Sequence, residues 1–289
     1  MKEYYFLFFL ALLWTGFAAV YDLKKREVPN WISFSLIAFG LANRAFYALL
    51  ESDEKFFIFG LSGFGIFYLL AMGLYYGRVF AGGDAKLLMG FGVLMPAFDI
   101  RSLLLYSSGF LILLLSVGAV WSLVFSLYLV LQNKKGFADA FRKKWSRARY
   151  IVFLGAFAGA VLSIFSLYIP VYSRLLSFIL GILLIGVPLL YVYLRALEQG
   201  CMIKLVHARE LCEGDWLEKN VHIGNKTICK SVHGLSADEI KIIRRANKKV
   251  WIKEGIPFVP AFFFTLIIMG FFLANGADVF PSLLNFLYG

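Results

Sequence analysis

Residues 4–30 read YYFLFFLALLWTGFAAVYDLKKREVPN. The stretch opens with a long apolar run, which ends at Asp22 and is followed by the basic cluster Lys24, Lys25 and Arg26. A bilayer core of about 30 Å needs roughly 20 apolar residues in a helix, so the run predicts a membrane helix with a carboxylate at its end. An ionisable side chain at the edge of a membrane helix is costly, and it indicates a functional role.

The rest of the chain is equally apolar. Of 289 residues, 61% are hydrophobic and 16% are charged, and the mean hydropathy is +0.76. A soluble domain of this size could not bury so much apolar surface. We therefore predict an all-α polytopic membrane protein with about eight transmembrane helices, near residues 4–21, 31–50, 56–76, 85–98, 102–131, 150–170, 175–194 and 257–275.

Lysine and arginine residues are concentrated in every second loop. The basic stretches are Lys24–Arg26, Arg78 with nearby Lys86, residues 134–149 and residues 195–256. By the positive-inside rule, this pattern predicts a cell-membrane protein with its N-terminus outside and both Asp22 and Asp84 at the cytoplasmic face. The net charge of +11 follows from the same rule and predicts contact with anionic membrane lipids, without a nucleic-acid partner.

The pattern predicts three parts of the chain. These are a membrane domain at 1–195, a small cytoplasmic α+β insert at 196–256, and a final transmembrane helix with an external tail at 257–289. In the insert, β-prone runs such as 204–206 and 227–229 precede a capping box, Ser236 with Glu239 three residues on. The box predicts a basic amphipathic helix to about Lys249, while residues 132–149 are expected to form a basic cytoplasmic loop, helical or not, near the lipid headgroups.

The cysteines and histidines all lie within the insert. They are Cys201, His207, Cys212, His222, Cys229 and His233. A zinc site is the specific alternative, but the chain has no Cys-x-x-Cys pair, and a cytoplasmic location disfavours a disulfide. We therefore expect neither a metal nor a cofactor.

A second carboxylate stands at the edge of another apolar segment. It is Asp84, which follows Gly82 and Gly83 and precedes Lys86. Two neighbouring carboxyl groups that share one proton can hydrolyse an amide, because one activates a water molecule and the other donates a proton to the carbonyl oxygen. The alternative is that both aspartates are solvated helix caps paired with nearby lysine or arginine residues.

Three stretches together resemble the type IV prepilin peptidases and archaeal preflagellin peptidases, membrane aspartic proteases with a Gly-x-Gly-Asp signature. The stretches are Asp22 to Asn30, Gly82 to Leu87, and Gly255 to Pro260. The resemblance implies that Asp22 and Asp84 are catalytic. It implies that Pro29, Asn30, Gly82, Gly83 and Lys86 are supporting motif residues.

The sequence departs from the family pattern in two ways. Ala81 replaces the first glycine of the signature, although Gly83 before Asp84 is kept. Bacterial members commonly have an N-terminal cytoplasmic domain with paired Cys-x-x-Cys motifs and also methylate the new N-terminus. Here the first apolar helix leads directly to Asp22, so we do not expect methyltransferase activity. The insert before the last helix is more similar to archaeal members.

The resemblance implies an endopeptidase that removes the basic leader from type IV pilin-like or archaeal flagellin-like precursors. Cleavage would fall at the cytoplasmic membrane boundary, commonly after a glycine. Glu27 and Glu198 are weak candidates for binding the basic leader. Two alternatives remain: a presenilin-like protease of other membrane helices, and a non-enzymatic transporter in which the aspartates bind a cation or proton.

Overall fold

The architecture is mostly helical. The computed structural model describes residues 2–224, 226–231 and 234–274. The chain divides into two compact units, one formed by residues up to Val124 and from Ile256 onwards, the other by Phe125–Gly255. The helices of the described residues are α1 (Lys2–Lys25), α2 (Asn30–Glu51), α3 (Glu54–Tyr76), α4 (Gly82–Leu94), α5 (Ile100–Gln132), α6 (Lys134–Phe165), α7 (Val171–Cys201), α8 (Ala237–Arg245) and α9 (Val259–Ala274).

Six of these helices, α1–α3 and α5–α7, are long and apolar enough to cross a membrane. The apolar helix α9 is shorter at 16 residues, and α4 has only 13. Each of the eight predicted segments overlaps one helix from α1–α7 or α9. The prediction of a mostly helical, multi-pass membrane protein is confirmed for the six long helices.

Local backbone features explain where α1 ends and where α2 begins. After α1, Arg26 adopts a left-handed conformation with φ 59°, and its N–H donates to the carbonyl oxygen of Asp22 at 2.9 Å. Pro29 is the N-cap residue of α2, and its carbonyl oxygen accepts from the N–H of Ile32 at 3.0 Å. Its fixed φ suits this position, and it has no N–H to leave unpaired. The short connection keeps Asp22 in the last turn of α1, close to the start of α2.

Arg44 on α2 is fully buried. Its guanidinium donates to the carbonyl oxygens of Val93 at 2.5 Å, Met95 at 2.6 Å and Phe56 at 2.7 Å. Carbonyl groups at a helix C-terminus lack helical partners and favour a cation, so Arg44 caps the end of α4 and ties it to the start of α3. Arg44 was not among the residues predicted from the sequence to have a role.

Helices α3 and α4 meet at two glycines. A Cβ atom on Gly63 would overlap the carbonyl oxygen of Gly92, and a Cβ atom on Gly92 would overlap that of Gly63. Small residues allow membrane helices to bring their backbones this close. The contact, together with Arg44, fixes the position of the short helix α4 in the bundle.

In the other unit, α6 and α7 form a long helical hairpin with its own glycine contacts. Cβ atoms on Gly159 and Gly155 would overlap or crowd carbonyl oxygens of α7, those of Gly181 and Leu184 respectively. Most of the basic stretch at 132–149, for which a helical or non-helical loop was predicted, is helical. It belongs to α6, which begins at Lys134 directly after Asn133. The Asn133 side chain caps this start by accepting from the Gly136 N–H at 3.2 Å.

The predicted insert contains small sheets. The strands are β1 (Ile203–His207), β2 (Trp216–Leu217), β3 (Val221–Ile223), β4 (Lys226–Ile228) and β5 (Lys249–Lys253). Strand β5 pairs antiparallel with β1 and β2, and β3 pairs with β4. The β-containing region and the capping box of Ser236 and Glu239 at the start of α8 are confirmed.

The predicted end of the insert helix was wrong. Helix α8 ends at Arg245 and not near Lys249, because Asn247 adopts a left-handed backbone with φ 46° and the chain then enters β5. His233 and the predicted external tail from residue 276 lie outside the described residues.

The glycine contact leads to a stability prediction. Gly63→Leu should lower the free energy of unfolding of the protein in lipid nanodiscs by about 1–3 kcal/mol, because the side chain would force α3 and α4 apart. Gly65→Leu, on the same helix, is the control, since a Cβ atom there meets nothing within 4 Å. Thermal unfolding of both variants is the measurement. Equal stability of the two variants would contradict the assigned contact.

Candidate active site

Asp22 lies in the last turn of α1 and is only 6% exposed. Its carboxylate accepts a hydrogen bond from the backbone N–H of Val259 at 3.0 Å, and the N–H of Phe258 also hydrogen-bonds to it. Val259 is the first residue of α9. The first N–H groups of a helix have no partner within the helix and favour negative charge, so the start of α9 is a suitable binding site for this carboxylate.

Asp84 lies in the first turn of α4 and is 9% exposed. The backbone N–H of Ala81, at the N-cap of the same helix, hydrogen-bonds to its carboxylate. Asp22 interacts electrostatically with Asp84. The structure therefore brings together two aspartates that are 62 positions apart in the sequence.

Two further contacts join the motifs around the aspartates. A Cβ atom on Gly83 would lie only 3.1 Å from Cβ of Val28, so the glycine allows the start of α4 to approach the connection between α1 and α2. Lys86 donates to the side-chain oxygen of Asn30 at 2.7 Å. The predicted motif residues Gly83, Lys86 and Asn30 thus lie in one contact region, with Pro29 in the same connection.

The departure at Ala81 has a simple explanation. Its backbone has φ −70° and ψ 163°, an extended conformation that every residue type adopts. A larger residue would also fit at position 82, since a Cβ atom there would make an ordinary 3.6 Å contact with the Tyr75 ring. Of the signature positions from 81 to 83, Gly83 is the one at which a Cβ atom would be crowded, by Val28.

Aromatic rings pack around Phe258, whose backbone N–H hydrogen-bonds to Asp22. The ring of Phe258 lies 5.1 Å from that of Phe80, measured between centroids, and 5.9 Å from that of Phe262. The Trp121 side chain fixes this segment by donating to the carbonyl oxygen of Pro257 at 2.7 Å. These contacts fix the backbone at the start of α9, which supplies the hydrogen-bond donors to Asp22.

The roles of Val259, Phe80 and Trp121 were not predicted from the sequence. The Gly255–Pro260 stretch was singled out by its resemblance, and its two prolines mark the beginning of α9. A backbone donor such as the Val259 N–H has no sequence signal of its own, because every non-proline residue carries one.

The weak candidates for leader binding have different surroundings. Glu27 is exposed and lies in the connection between α1 and α2, five residues after Asp22. Glu198 already accepts from Arg195 at 2.9 Å and from Lys253 at 2.6 Å. A basic leader would have to displace these two cations to use Glu198.

In the part of the chain that the structure describes, no group of three or more His, Cys, Asp or Glu side chains could hold a metal ion. The site around Asp22 and Asp84 contains two carboxyl groups and several backbone N–H donors. Two close carboxyl groups resist ionising together, so such a pair can keep one proton and supply an acid and a base at the same place.

Comparison with known proteins agrees with this chemistry. The profile of the type IV leader peptidase family matches residues 8–190, which include both aspartates. No solved structure matches the chain.

Three curated relatives have related names. A preflagellin peptidase of Methanocaldococcus jannaschii is 33% identical over 28% of this chain and 35% of its own length. A preflagellin peptidase of Methanococcus voltae is 29% identical over 43% of this chain and 56% of its own. Prepilin peptidase EppA of Methanothermobacter thermautotrophicus is 37% identical over 30% of this chain and 23% of its own length. The matched stretch spans about a third of the Methanocaldococcus relative.

The family match covers well over half of the chain and contains the two segments whose aspartates the fold brings together. This chain belongs to the type IV leader peptidase family.

Proposed function

We propose that the protein is a membrane aspartic endopeptidase that removes the basic leader from type IV pilin-like or archaeal flagellin-like precursors. The main support is one observation: two buried aspartates, one at the end of α1 and one at the start of α4, lie close enough in an apolar bundle to interact electrostatically. The membership of the type IV leader peptidase family supports the same activity.

In the proposed reaction, Asp22 and Asp84 share one proton. The ionised carboxylate takes a proton from a water molecule, which attacks the carbonyl carbon of the cleaved peptide bond, while the protonated carboxyl group donates to the carbonyl oxygen. The tetrahedral intermediate then collapses with transfer of a proton to the departing nitrogen, which releases the leader and a new N-terminal amine. The reaction uses water and two carboxyl groups, so it requires no cofactor.

The proposed site lies at the cytoplasmic membrane boundary. The N-terminus lies outside the cell, and eight helices cross the membrane, of which α4 and α9 are the shortest. Residues 196–256 form a cytoplasmic insert. This insert lies between the membrane domain at 1–195 and the final segment at 257–289. The basic clusters at the cytoplasmic face support this orientation and a contact with anionic lipids. A peptide bond beside a membrane-anchored helix would meet the aspartates at this level.

The first test is proteolysis by purified protein in lipid, with mass spectrometry of the new N-terminus of candidate precursors. Asp22→Asn and Asp84→Asn should each lower the cleavage rate by about 10²-fold to 10⁴-fold, since asparagine keeps the size but cannot exchange a proton. The control is Asp139→Asn, because this aspartate is exposed on α6. Near-normal turnover by either of the first two variants would rule out the carboxylate pair.

The orientation is tested by labelling single cysteines in intact cells, in a variant whose three native cysteines are replaced by serine. Cysteines at positions 53 and 174 should react with an impermeant reagent from outside, whereas those at 24 and 143 should react only after the membrane is opened. Alternation of basic loops is the reason for this expectation. If positions 24 and 53 reacted from the same side, α2 would not cross the membrane as proposed.

A further inference from the structure

An apolar groove runs between α5 and α9 in the unit that contains the aspartates. Its free volume is about 430 Å³. The walls include Val117, Val120 and Trp121 on α5, and Phe264, Ile267 and Ile268 on α9. The hydroxyl group of Ser116, also in the wall, donates to the carbonyl oxygen of Ile112 at 2.7 Å and is therefore satisfied within its own helix. The groove thus offers an occupant almost no unsatisfied polar group.

The groove is connected to Asp22 through the start of α9 and through Trp121. Helix α9 begins at Val259, which donates to Asp22, and Trp121 fixes the preceding Pro257. With a rise of 1.5 Å per residue, Phe264 lies about 8 Å and Ile268 about 14 Å along the helix from Val259. One end of the groove is therefore level with the residues that hold Asp22, and the other end lies deeper along the apolar helix.

The two sides of α9 differ in what they contact. Ala261, Phe262 and Leu266 are buried in the core of the unit. On the groove side, Phe264 and Ile267 keep 40% and 45% of their surface exposed, and Val120 on the facing helix keeps 62%. Within this unit, this side of α9 is therefore not covered by the core that buries the opposite side.

We propose that this groove binds the apolar helix of the precursor, immediately after the cleaved peptide bond. The inference rests on the proposed function, because that reaction requires an apolar helix to lie beside the aspartates while its first peptide bond is cut. Recognition of a helix in an apolar groove uses side chains one turn apart along one face of the helix. The volume suits a few large apolar side chains from such a face, within the range of pockets that bind ligands.

The geometry also sets the register of the bound helix. If the cleaved bond is level with Asp22, a helix that runs beside α9 reaches the groove about 8–14 Å further on, or about five to nine residues after the cleavage position. Apolar side chains at those positions of the precursor should contact Val120 and Ile267. A lipid acyl chain is the competing occupant, and it has no such register.

The test uses photo-crosslinking in lipid vesicles. A photoreactive amino acid replaces Val120 in the full chain carrying Asp22→Asn and Asp84→Asn, so that the precursor stays intact. The matched control has the same amino acid at Leu115, which is 50% exposed on the same helix and outside the groove. We expect crosslinks from position 120 to the apolar segment about five to nine residues after the cleavage position, and few from position 115. Crosslinks from position 120 to lipid only, or equal crosslinks from both positions, would overturn the inference.

A kinetic measurement separates the groove from the chemistry. Val120→Trp should fill the groove and raise KM for a full-length precursor about tenfold or more with kcat changed less than about twofold, since only binding of the helix is weakened. Leu115→Trp should change neither constant. A KM that is equal in the two variants would refute the groove, whereas a wild-type protein that cleaves no precursor would refute the proposed function.

Discussion

The hydrogen bond from the backbone N–H of Val259 to Asp22 is the contact on which the arrangement depends. A carboxylate that is 6% exposed in an apolar bundle loses much of its hydration, and this loss must be offset by donors from the protein. The start of α9 supplies them at no cost to its own helix, because its first N–H groups lack helical partners. The same contact joins α1 to α9 and places the end of one helix against the beginning of another.

The position of Asp84 depends on how helix α4 is held in the bundle. It is only 13 residues long, so its position must be fixed by contacts at both ends and along its side. Arg44 caps its C-terminus, Gly92 packs against Gly63 at its side, and Gly83 lies against Val28 at its N-terminus. The two aspartates meet because α1 and α4 are each held at the end that carries the carboxylate.

Sequence reasoning found the aspartates because each stands at the edge of an apolar run, where an ionisable residue is unexpected. It found the helices from continuous hydrophobicity and the start of α8 from the capping box of Ser236 and Glu239. It did not find the role of Arg44, because the acceptors of this side chain are backbone carbonyls, which look the same at every position. It placed the end of α8 too late, since the lysine and arginine residues near 245–249 suit an exposed helix and an exposed strand edge equally.

The proposed reaction requires Asp22 and Asp84 to form one coupled acid pair. Infrared spectroscopy of the carboxyl groups during a pH titration tests it most directly, with the wild-type protein in lipid compared with Asp22→Asn. If the two carboxyl groups share a proton, the titration of Asp84 shifts when the charge of Asp22 is removed, because coupled groups titrate as a pair. A titration of Asp84 that is identical with and without the Asp22 carboxylate would show that the two groups are not coupled.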